Sequence, residues 1–459
     1  MVRFGDEMMK IILIGCGTIG RTVLDELSKE GHTITIIDED RLKVEKLIGK
    51  YDVMGIVGNG ASLEIQEEAG VKNADLVISI TSSDEINILA CLVANKIGAE
   101  STIARVRNPE YYRQNTILKE ELGLSMIVNP ELETSTEILN MINLPSIAKI
   151  ERFAKGKVTL MEILIDEGNP LIGENLSSIS KKIKTKVLIC AVQRGEQVII
   201  PSGRFHVKKG DIISFTADTN SLNSFLNELN LIKSPLKKVL IVGGGNIAYY
   251  LTKELCLRRY DVKVIERDKE RAEELAELLP KATIINGDGT DHDILLEEGI
   301  ESADALVSLT GVDEENIIVS MYAKKLNVRK VIAKVKRAGL VGIVGNLGVI
   351  NHVSPKNVVA SKIISYIRAI SNRRGSNVIT LYRLVDYQVE ALEFLAKKEE
   401  DIYDKPLKEL KIKDNCLIGC IIRDNKVIIP DGNDCIKLND SVIIVTTHKN
   451  FDDLTDAFE

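Results

Sequence analysis

Two glycine-rich stretches carry the most specific chemistry in the sequence. Gly15, Gly17 and Gly20 stand at G-x-G-x-x-G spacing, and Gly243, Gly245 and Ala248 repeat it with alanine last. Cys16, Thr18 and Ile19 fill the first stretch; Gly244, Asn246 and Ile247 fill the second. In such a turn the first glycine permits a tight bend and the second lets phosphates approach the backbone. The third lets a helix lie close to a strand. The helix start offers free N–H groups and partial positive charge to an anion. An acid follows each stretch, Asp38 at 18 residues after Gly20 and Glu266 at 18 after Ala248. A carboxylate there accepts ribose hydroxyls and repels a 2′-phosphate, which favours NAD or an adenine nucleotide over NADP. Arg267 follows Glu266 and weakens that discrimination in the second copy.

Further candidates fall where strands are expected to end. Asn59 and Gly60 close a third strand, Thr81 a fourth and Arg105 a fifth; Asp288, Gly289, Thr310 and Lys334 are their counterparts. Parallel sheets bind ligands at the carboxyl ends of their strands, so these residues are candidates for ligand contact. Turn glycines and strand-end threonines also have purely structural uses. Arg105 and Lys334 could meet phosphate charge.

Those residues need elements to hold them. Residues 10–15 read as a buried strand and 18–30 as a helix with Ile19, Val23 and Leu27 on one face. The strands 33–37, 53–57, 76–80 and 102–106 alternate with helices at 41–49, 63–69 and 85–97. Apolar strands alternating with amphipathic helices mean a parallel sheet covered on both faces. Beyond it comes a helical connector near 131–143, matched later by 358–371, where Ile363, Ile364, Ile367 and Ile370 share a face. Smaller α+β units follow each connector, with strand cues at 160–165, 188–192 and 212–216 and turns at 166–170 and 208–211.

The whole arrangement occurs twice. Gly15 recurs as Gly243 at an offset of 228, and Gly58-Asn59-Gly60 as Gly287-Asp288-Gly289 at 229. Asp84, Glu85 and Asn87 return as Asp313, Glu314 and Asn316; Val198 to Pro201 returns as Val427 to Pro430; Gly210-Asp211 returns as Asn439-Asp440. A shared offset over so long a stretch marks a duplicated domain pair. The expected fold class is α/β, with two Rossmann-like doubly wound parallel-sheet domains, each followed by a smaller α+β domain. The expected boundaries are 9–130, 131–149 and 150–232 for the first copy, and 236–355, 356–375 and 376–459 for the second.

Composition narrows the function classes. The chain has 459 residues, 44% hydrophobic and 28% charged, with 60 basic and 67 acidic residues and a net charge of −7. That is a globular balance without the basic field of a nucleic-acid binder. No apolar run reaches the roughly 20 residues that span a bilayer. Met1 to Lys10 lacks a signal-peptide core, and Met8 or Met9 is an alternative start. Seven scattered cysteines suit a reducing compartment, and Cys416 and Cys420 read as strand thiols. Asp431, Asn433 and Asp434 form an acidic turn whose turn chemistry outweighs a cation site. No metal site is expected. A dehydrogenase needs a proton donor or acceptor beside the nicotinamide. None of His32, His206, His292, His352 and His448 has a histidine at its repeat equivalent, so two ligand sites without duplicated catalytic groups suit sensing better than turnover.

The two glycine stretches, Asp38, the Gly-Asn-Gly turn, the run from Thr81 to Asn87 and the Ile103-Ala104-Arg105 strand end resemble the RCK (KTN) domain. The Val-Ile-Ile-Pro strand and Gly-Asp turn resemble its C-terminal companion domain. Two such pairs in one chain look like the TrkA family of regulatory subunits of Trk potassium-uptake systems. The resemblance implies domains that bind NAD(H), or ATP/ADP in some members. The implied first site is Gly15 to Ile19, Asp38, Asn59, Gly60, Thr81 and Arg105. The implied second site is Gly243 to Ile247, Glu266, Asp288, Gly289, Thr310 and Lys334. Ala248 and Lys334 depart from the first copy's glycine and arginine. Thr18 and Asn246 stand where some members carry an arginine that meets a neighbour's γ-phosphate. The resemblance also implies a ring of eight such domains, built as a tetramer, on the cytoplasmic face of a TrkH-type membrane potassium-translocating subunit. Regulation of another cation channel or antiporter, or an NAD-dependent oxidoreductase, are the alternative functions.

Overall fold

A computed structural model describes residues 8–143, 147–153, 157–165, 169–195, 197–228, 236–337, 339–340, 351–371, 378–384, 389–397, 400–448, 451 and 453–459. The turn expected at 166–170 lies mostly outside them.

The first large lobe runs β1 (Lys10–Ile14), α1 (Thr18–Leu27), β2 (Thr33–Asp38), α2 (Arg41–Ile48), β3 (Met54–Val57) and α3 (Leu63–Glu68). It continues through β4 (Leu76–Ser79), α4 (Asp84–Ile97), β5 (Thr102–Arg105), α5 (Pro109–Arg113), α6 (Asn115–Glu120) and β6 (Met126–Val128) to the connector α7 (Pro130–Asn143). All pairings are parallel, in the order β3-β2-β1-β4-β5-β6. The order reverses between β1 and β4, which opens a crevice at their carboxyl ends. β1 is buried from Ile11 to Ile14 because helices cover both faces. On one face Ile12, Ile14 and Val77 meet Ala90 and Ala94 of α4. Burying each such aliphatic chain stabilises by about 1.5–3 kcal/mol. The sequence reading stops at five strands. The sixth, β6, is three residues long and carries too little periodicity to read.

The first small lobe comprises β7 (Ile147–Phe153), β8 (Val158–Leu164), α8 (Leu176–Lys182), β9 (Val187–Arg194), β10 (Gln197–Ile199), β11 (Ile212–Asp218) and α9 (Leu222–Glu228). Its antiparallel sheet has the order β10-β9-β11-β8-β7. β8 alternates: Met161 and Ile163 pack with Leu176 and Ile179 of α8, while Val158 and Leu160 face the other way.

The second half repeats this plan. Its large lobe is β12 (Lys238–Val242), α10 (Asn246–Leu257), β13 (Asp261–Glu266), α11 (Lys269–Leu278), β14 (Thr283–Asn286), α12 (His292–Glu297), β15 (Ala305–Ser308), α13 (Asp313–Lys325), β16 (Lys330–Lys334), β17 (Asn351–Val353) and the connector α14 (Pro355–Ser371). The strand order β14-β13-β12-β15-β16-β17 matches the first lobe. Its small lobe is β18 (Val378–Leu384), β19 (Val389–Leu395), β20 (Cys416–Arg423), β21 (Lys426–Ile428) and β22 (Ser441–Thr446), in the order β18-β19-β22-β20-β21.

The lobes group by type rather than by order along the chain. Residues 7–142 and 236–364 form one compact unit, and 143–235 with 365–459 form another. In the first unit, Ile138, Leu139 and Ile142 of α7 lie in one core with Leu236, Val239, Leu251 and Leu255 of the second large lobe. In the other unit, Val158, Leu160, Cys190 and Ala191 face Val389, Ala391, Cys420 and Val445. Thr216 Oγ1 donates to Gly419 O across that face at 2.8 Å. Each small lobe also holds a buried acid on a bidentate arginine. Arg194 donates to both oxygens of Asp211 at 2.7 Å, and Arg423 to those of Asp440 at 2.9 and 2.7 Å. The residue before each acid is left-handed, with φ +87° at Gly210 and +69° at Asn439, which explains why glycine and asparagine alternate there.

Cys416 and Cys420 lie on β20 as buried free thiols, as the sequence suggests. The acidic turn is also built as a turn: Asp431 N donates to Asp434 Oδ2 and Asn433 N to Asp431 Oδ1, each at 2.8 Å.

Candidate nucleotide-binding sites

The three glycine positions of the first turn differ physically. Gly15 has φ +96°, a conformation side chains disfavour, and a Cβ there would lie 2.8 Å from Thr81 N. A Cβ at Gly20 would lie 2.0 Å from Gly15 O, so glycine is demanded by contact between turn and helix. Gly17 has φ −68°, and a Cβ there meets nothing within 4 Å. Gly243 repeats φ +96°, and Gly245, at φ −65°, is equally open. Among the described residues nothing therefore requires glycine at Gly17 or Gly245.

Both open glycines are also the N-caps of α1 and α10, without a side-chain hydrogen bond to the helix. By contrast, Asp40 caps α2, Ser83 caps α4 and Asp268 caps α11. Ser, Asp or Asn in place of glycine would supply such a bond. The helix starts behind the glycine turns thus keep their N–H groups and dipole for an outside acceptor.

The two candidate acids, Asp38 and Glu266, stand at the ends of β2 and β13. Asp38 Oδ2 accepts from Cys16 N at 2.7 Å and Oδ1 from Asp40 N at 2.9 Å. Glu266 Oε2 accepts from Gly244 N at 2.5 Å and Oε1 from Asp268 N at 2.8 Å. Each oxygen retains lone-pair capacity for a hydroxyl. The longer glutamate needs room beneath the loop: a Cβ on Gly244 would lie 2.9 Å from Glu266 Oε2 and 2.6 Å from Leu275 Cδ1. Cys16 with Asp38 and Gly244 with Glu266 are alternative solutions of one packing problem. Burial, then the Asp38 charge, pushes the Cys16 thiol up to about 12, so it stays protonated at neutral pH.

The strand-end candidates gather round the same crevice, held by inward bonds. Asn59 Oδ1 accepts from Ala61 N at 2.9 Å and Asp288 Oδ1 from Thr290 N at 2.9 Å. Gly60 and Gly289 press on β1 and β12; a Cβ would lie 2.1 Å from Ile14 and 2.4 Å from Val242. Thr81 Oγ1 donates to Asn87 Oδ1 at 2.8 Å, and Thr310 Oγ1 to Val312 O at 3.1 Å. Arg105 Nη2 donates to Thr81 O, and Lys334 Nζ to Leu309 O at 2.7 Å. Burial holds the Arg105 guanidinium below its ordinary value. Burial, with the Lys336 charge, takes Lys334 down to about 8.

Four groups of residues in this region were not assigned roles from sequence. Asn87 is fully buried, accepts from Thr81 N at 2.7 Å and donates to Arg105 O at 2.9 Å, tying β4 to β5. Asn316 repeats this with Thr310 N at 2.8 Å and Lys334 O at 3.0 Å. Asp84 accepts from Arg107 N and Asn108 N, and Asp313 from Lys336 N and Arg337 N. The signal was available, since these acids and asparagines recur together in the repeat. Lys43 and Arg271, one turn into α2 and α11, also recur at the offset. Lys43 lies 3.8 Å from Asp38, whereas Arg271 Nε donates to Gly244 O at 2.9 Å. Glu131, in the first turn of α7, is raised by burial and sits in the field of Arg107, Arg105 and Lys334. Beside it, Asn129 Nδ2 donates to Arg107 O and to Tyr250 Oη of α10, both at 3.3 Å.

Of the histidines, His32 precedes β2, at the end of the sheet opposite the glycine turn. It lies 3.6 Å from Glu30.

Comparison with known proteins agrees with this architecture. The TrkA-N domain model matches residues 11–130 and 239–355, and the TrkA-C domain model matches 160–230 and 392–459. The Trk system potassium uptake protein TrkA of Haemophilus influenzae is 31% identical over 456 residues, 98% of this chain and 99% of that protein. TrkA homolog 1 of Methanosarcina mazei is 32% identical over 444 residues, covering 95% and 97%. Among solved structures, the GsuK RCK domain superposes with a TM-score of 0.63 at 16% identity, covering 96% of this chain and 92% of that one. The GsuK channel bound to NAD gives 0.63 at 16% identity, covering 96% and 77%. The chain belongs to the TrkA family of Trk system potassium uptake proteins.

Proposed function

From membership of that family, we propose that this chain is the nucleotide-binding regulatory subunit of a potassium-uptake system. Each large lobe holds an adenine dinucleotide or nucleotide, NAD(H) first and ATP/ADP second. The chain sets the state of a TrkH-type membrane subunit that translocates potassium. The observation that carries the reading is the pair of open N-cap glycines, Gly17 and Gly245, which serve no packing or conformational need among the described residues. A phosphate seated there would take the N–H groups that no side chain caps. Asp38 and Glu266 would accept ribose hydroxyls.

None of the described helices is long and apolar enough to cross a membrane. The proposed location is the cytoplasmic face of the membrane, with four chains bringing eight large lobes into a ring. A nucleotide bound more tightly in one arrangement of that ring biases it by about 1.4 kcal/mol per tenfold difference in affinity. The connectors α7 and α14 are the proposed hinges.

Calorimetric titration of NADH, NAD, ATP and ADP into the wild type, Asp38→Ala and Glu266→Ala tests the binding. Each substitution is expected to remove one class of site. Patch recording of the membrane partner with the regulatory chain present tests the coupling. Unchanged open probability at saturating nucleotide rejects it.

A further inference from the structure

We infer that the second site admits an adenine dinucleotide phosphorylated on its ribose 2′ hydroxyl, a ligand that the first site excludes. The inference rests on reading both lobes as nucleotide sites and names how they differ.

The carboxylates themselves are equivalent. Asp38 and Glu266 each accept one N–H from the glycine turn and one from the residue two places on. The acid that fixes the ribose edge is therefore held alike in both lobes, and discrimination falls to what flanks it. In the first lobe Glu39, exposed, follows the acid directly, so a 2′-phosphate would meet Asp38 and Glu39 together. The nearest cation from the helix, Lys43, is spent on these acids, 3.8 Å from Asp38 and 3.4 Å from Asp40.

In the second lobe Arg267 takes the place of Glu39. Its side chain is 74% exposed, and its ion pair with Asp288 is long, at 4.0 Å. Arg271 takes the place of Lys43 but does not turn to the ribose acid. Its guanidinium spans the glycine turn instead, from Gly244 O at 2.9 Å to Asn246 Oδ1 at 3.4 Å, with Glu274 behind it at 2.5 Å. Gly244 has no side chain to cover the turn where Cys16 stands in the first lobe. The exposed Arg267 guanidinium thus stands next to the ribose acid, while Arg271 stays on the glycine turn, and a guanidinium fork matches phosphate geometry with paired N–H donors. An arginine near the ribose acid is the usual means by which this fold takes a 2′-phosphate. Glu266 still opposes the added charge, so the second site is expected to accept both ligands rather than to prefer the phosphorylated one strongly.

The test is stoichiometric. Full-length wild type, Arg267→Glu and Glu39→Arg are titrated calorimetrically with NADH and with NADPH. The wild type is expected to bind two NADH but one NADPH per chain. Arg267→Glu is expected to weaken NADPH about tenfold more than NADH at the second site, because it reverses a charge at the phosphate. Glu39→Arg is expected to gain a second NADPH. NADPH binding at both sites or at neither, or an Arg267→Glu effect equal for the two ligands, overturns the inference while leaving the two-site reading intact. Fewer than two NADH per chain overturns the two-site reading, and the inference with it.

Discussion

The two large lobes share strand order, register and the conformation of their glycine turns, yet they fill the same positions with different residues. At one place a change in one position is matched by a change in its neighbour. Cys16 over Asp38 becomes Gly244 over Glu266, and the extra methylene of glutamate occupies space that a Cβ at Gly244 would need. At the helix, Gly20 becomes Ala248. A Cβ at Gly20 would collide with Gly15 O, so the first turn has no room for the alanine that the second carries. Arg105 becomes Lys334, which points to the equivalent carbonyl region at the end of the fourth strand. What stays constant is the inner scaffold, Asn87 with Asp84 and Asn316 with Asp313. The duplication has therefore conserved the frame of the crevice and let its lining drift, at the turn and its acid as a coupled pair.

The comparison breaks most visibly at the helix start. Gly20→Ala is expected to cost about 3 kcal/mol, the upper end of overpacking costs, because backbone must move to relieve the contact. It should abolish binding in the first lobe, whereas the second lobe carries alanine at no cost. Chemical denaturation followed by nucleotide titration checks both. Next come the scaffold asparagines. Asn87→Ala and Asn316→Ala each leave a buried N–H and a buried carbonyl unpaired, at about 2–4 kcal/mol. Equal losses in the two variants would support a constant frame; a much smaller loss in either would break it.

A pH difference follows in size. Lys334 titrates near 8 in the folded chain against 10.5 in its ordinary state. Between these values the unfolded chain binds a proton that the folded chain does not, so stability rises with pH across that window and the full penalty applies below it. The wild type is expected to gain about 3 kcal/mol relative to Lys334→Met between pH 8 and 10.5. Arg105 offers no counterpart, since an arginine keeps its proton there. Stability curves at stepped pH for the wild type, Lys334→Met and Arg105→Met decide it.

The smallest expected effect sharpens the coupled-pair idea. Gly244→Cys alone should destabilise, and Glu266→Asp added to it should restore about 1–2 kcal/mol, a coupling that a double-mutant cycle measures. Additive effects would mean that the two positions drifted independently.

The sequence makes some of this legible and hides the rest for physical reasons. The glycine spacing, Asp38, Glu266 and the duplication are local signals, and each falls where a strand meets a turn or helix as expected. β6 has only three residues, too few for alternation to register. The destination of α7 is hidden for a different cause. Its apolar face is plain in the pattern, but periodicity says only that Ile138, Leu139 and Ile142 are buried, not that they serve the second lobe. Arg271 is likewise silent in sequence, because its role depends on a side chain reaching across to a turn 27 residues away. The asparagines were visible as repeated letters, and only the bonds of Asn87 and Asn316 show what the repetition keeps.

The placement of α7 bears on how this chain could have come from two. A helix that leaves its own half and completes the core of the other is an exchanged element, the device by which identical subunits become interlocked. Opening the chain between Glu228 and Leu236 would leave the first fragment carrying Ile138, Leu139 and Ile142 without their packing partners, and the second fragment with a core lacking them. Neither piece would be a finished folding product. Mixed together, they would be expected to recover each other, as two copies of a half-length ancestor would have done before a peptide bond made the embrace permanent.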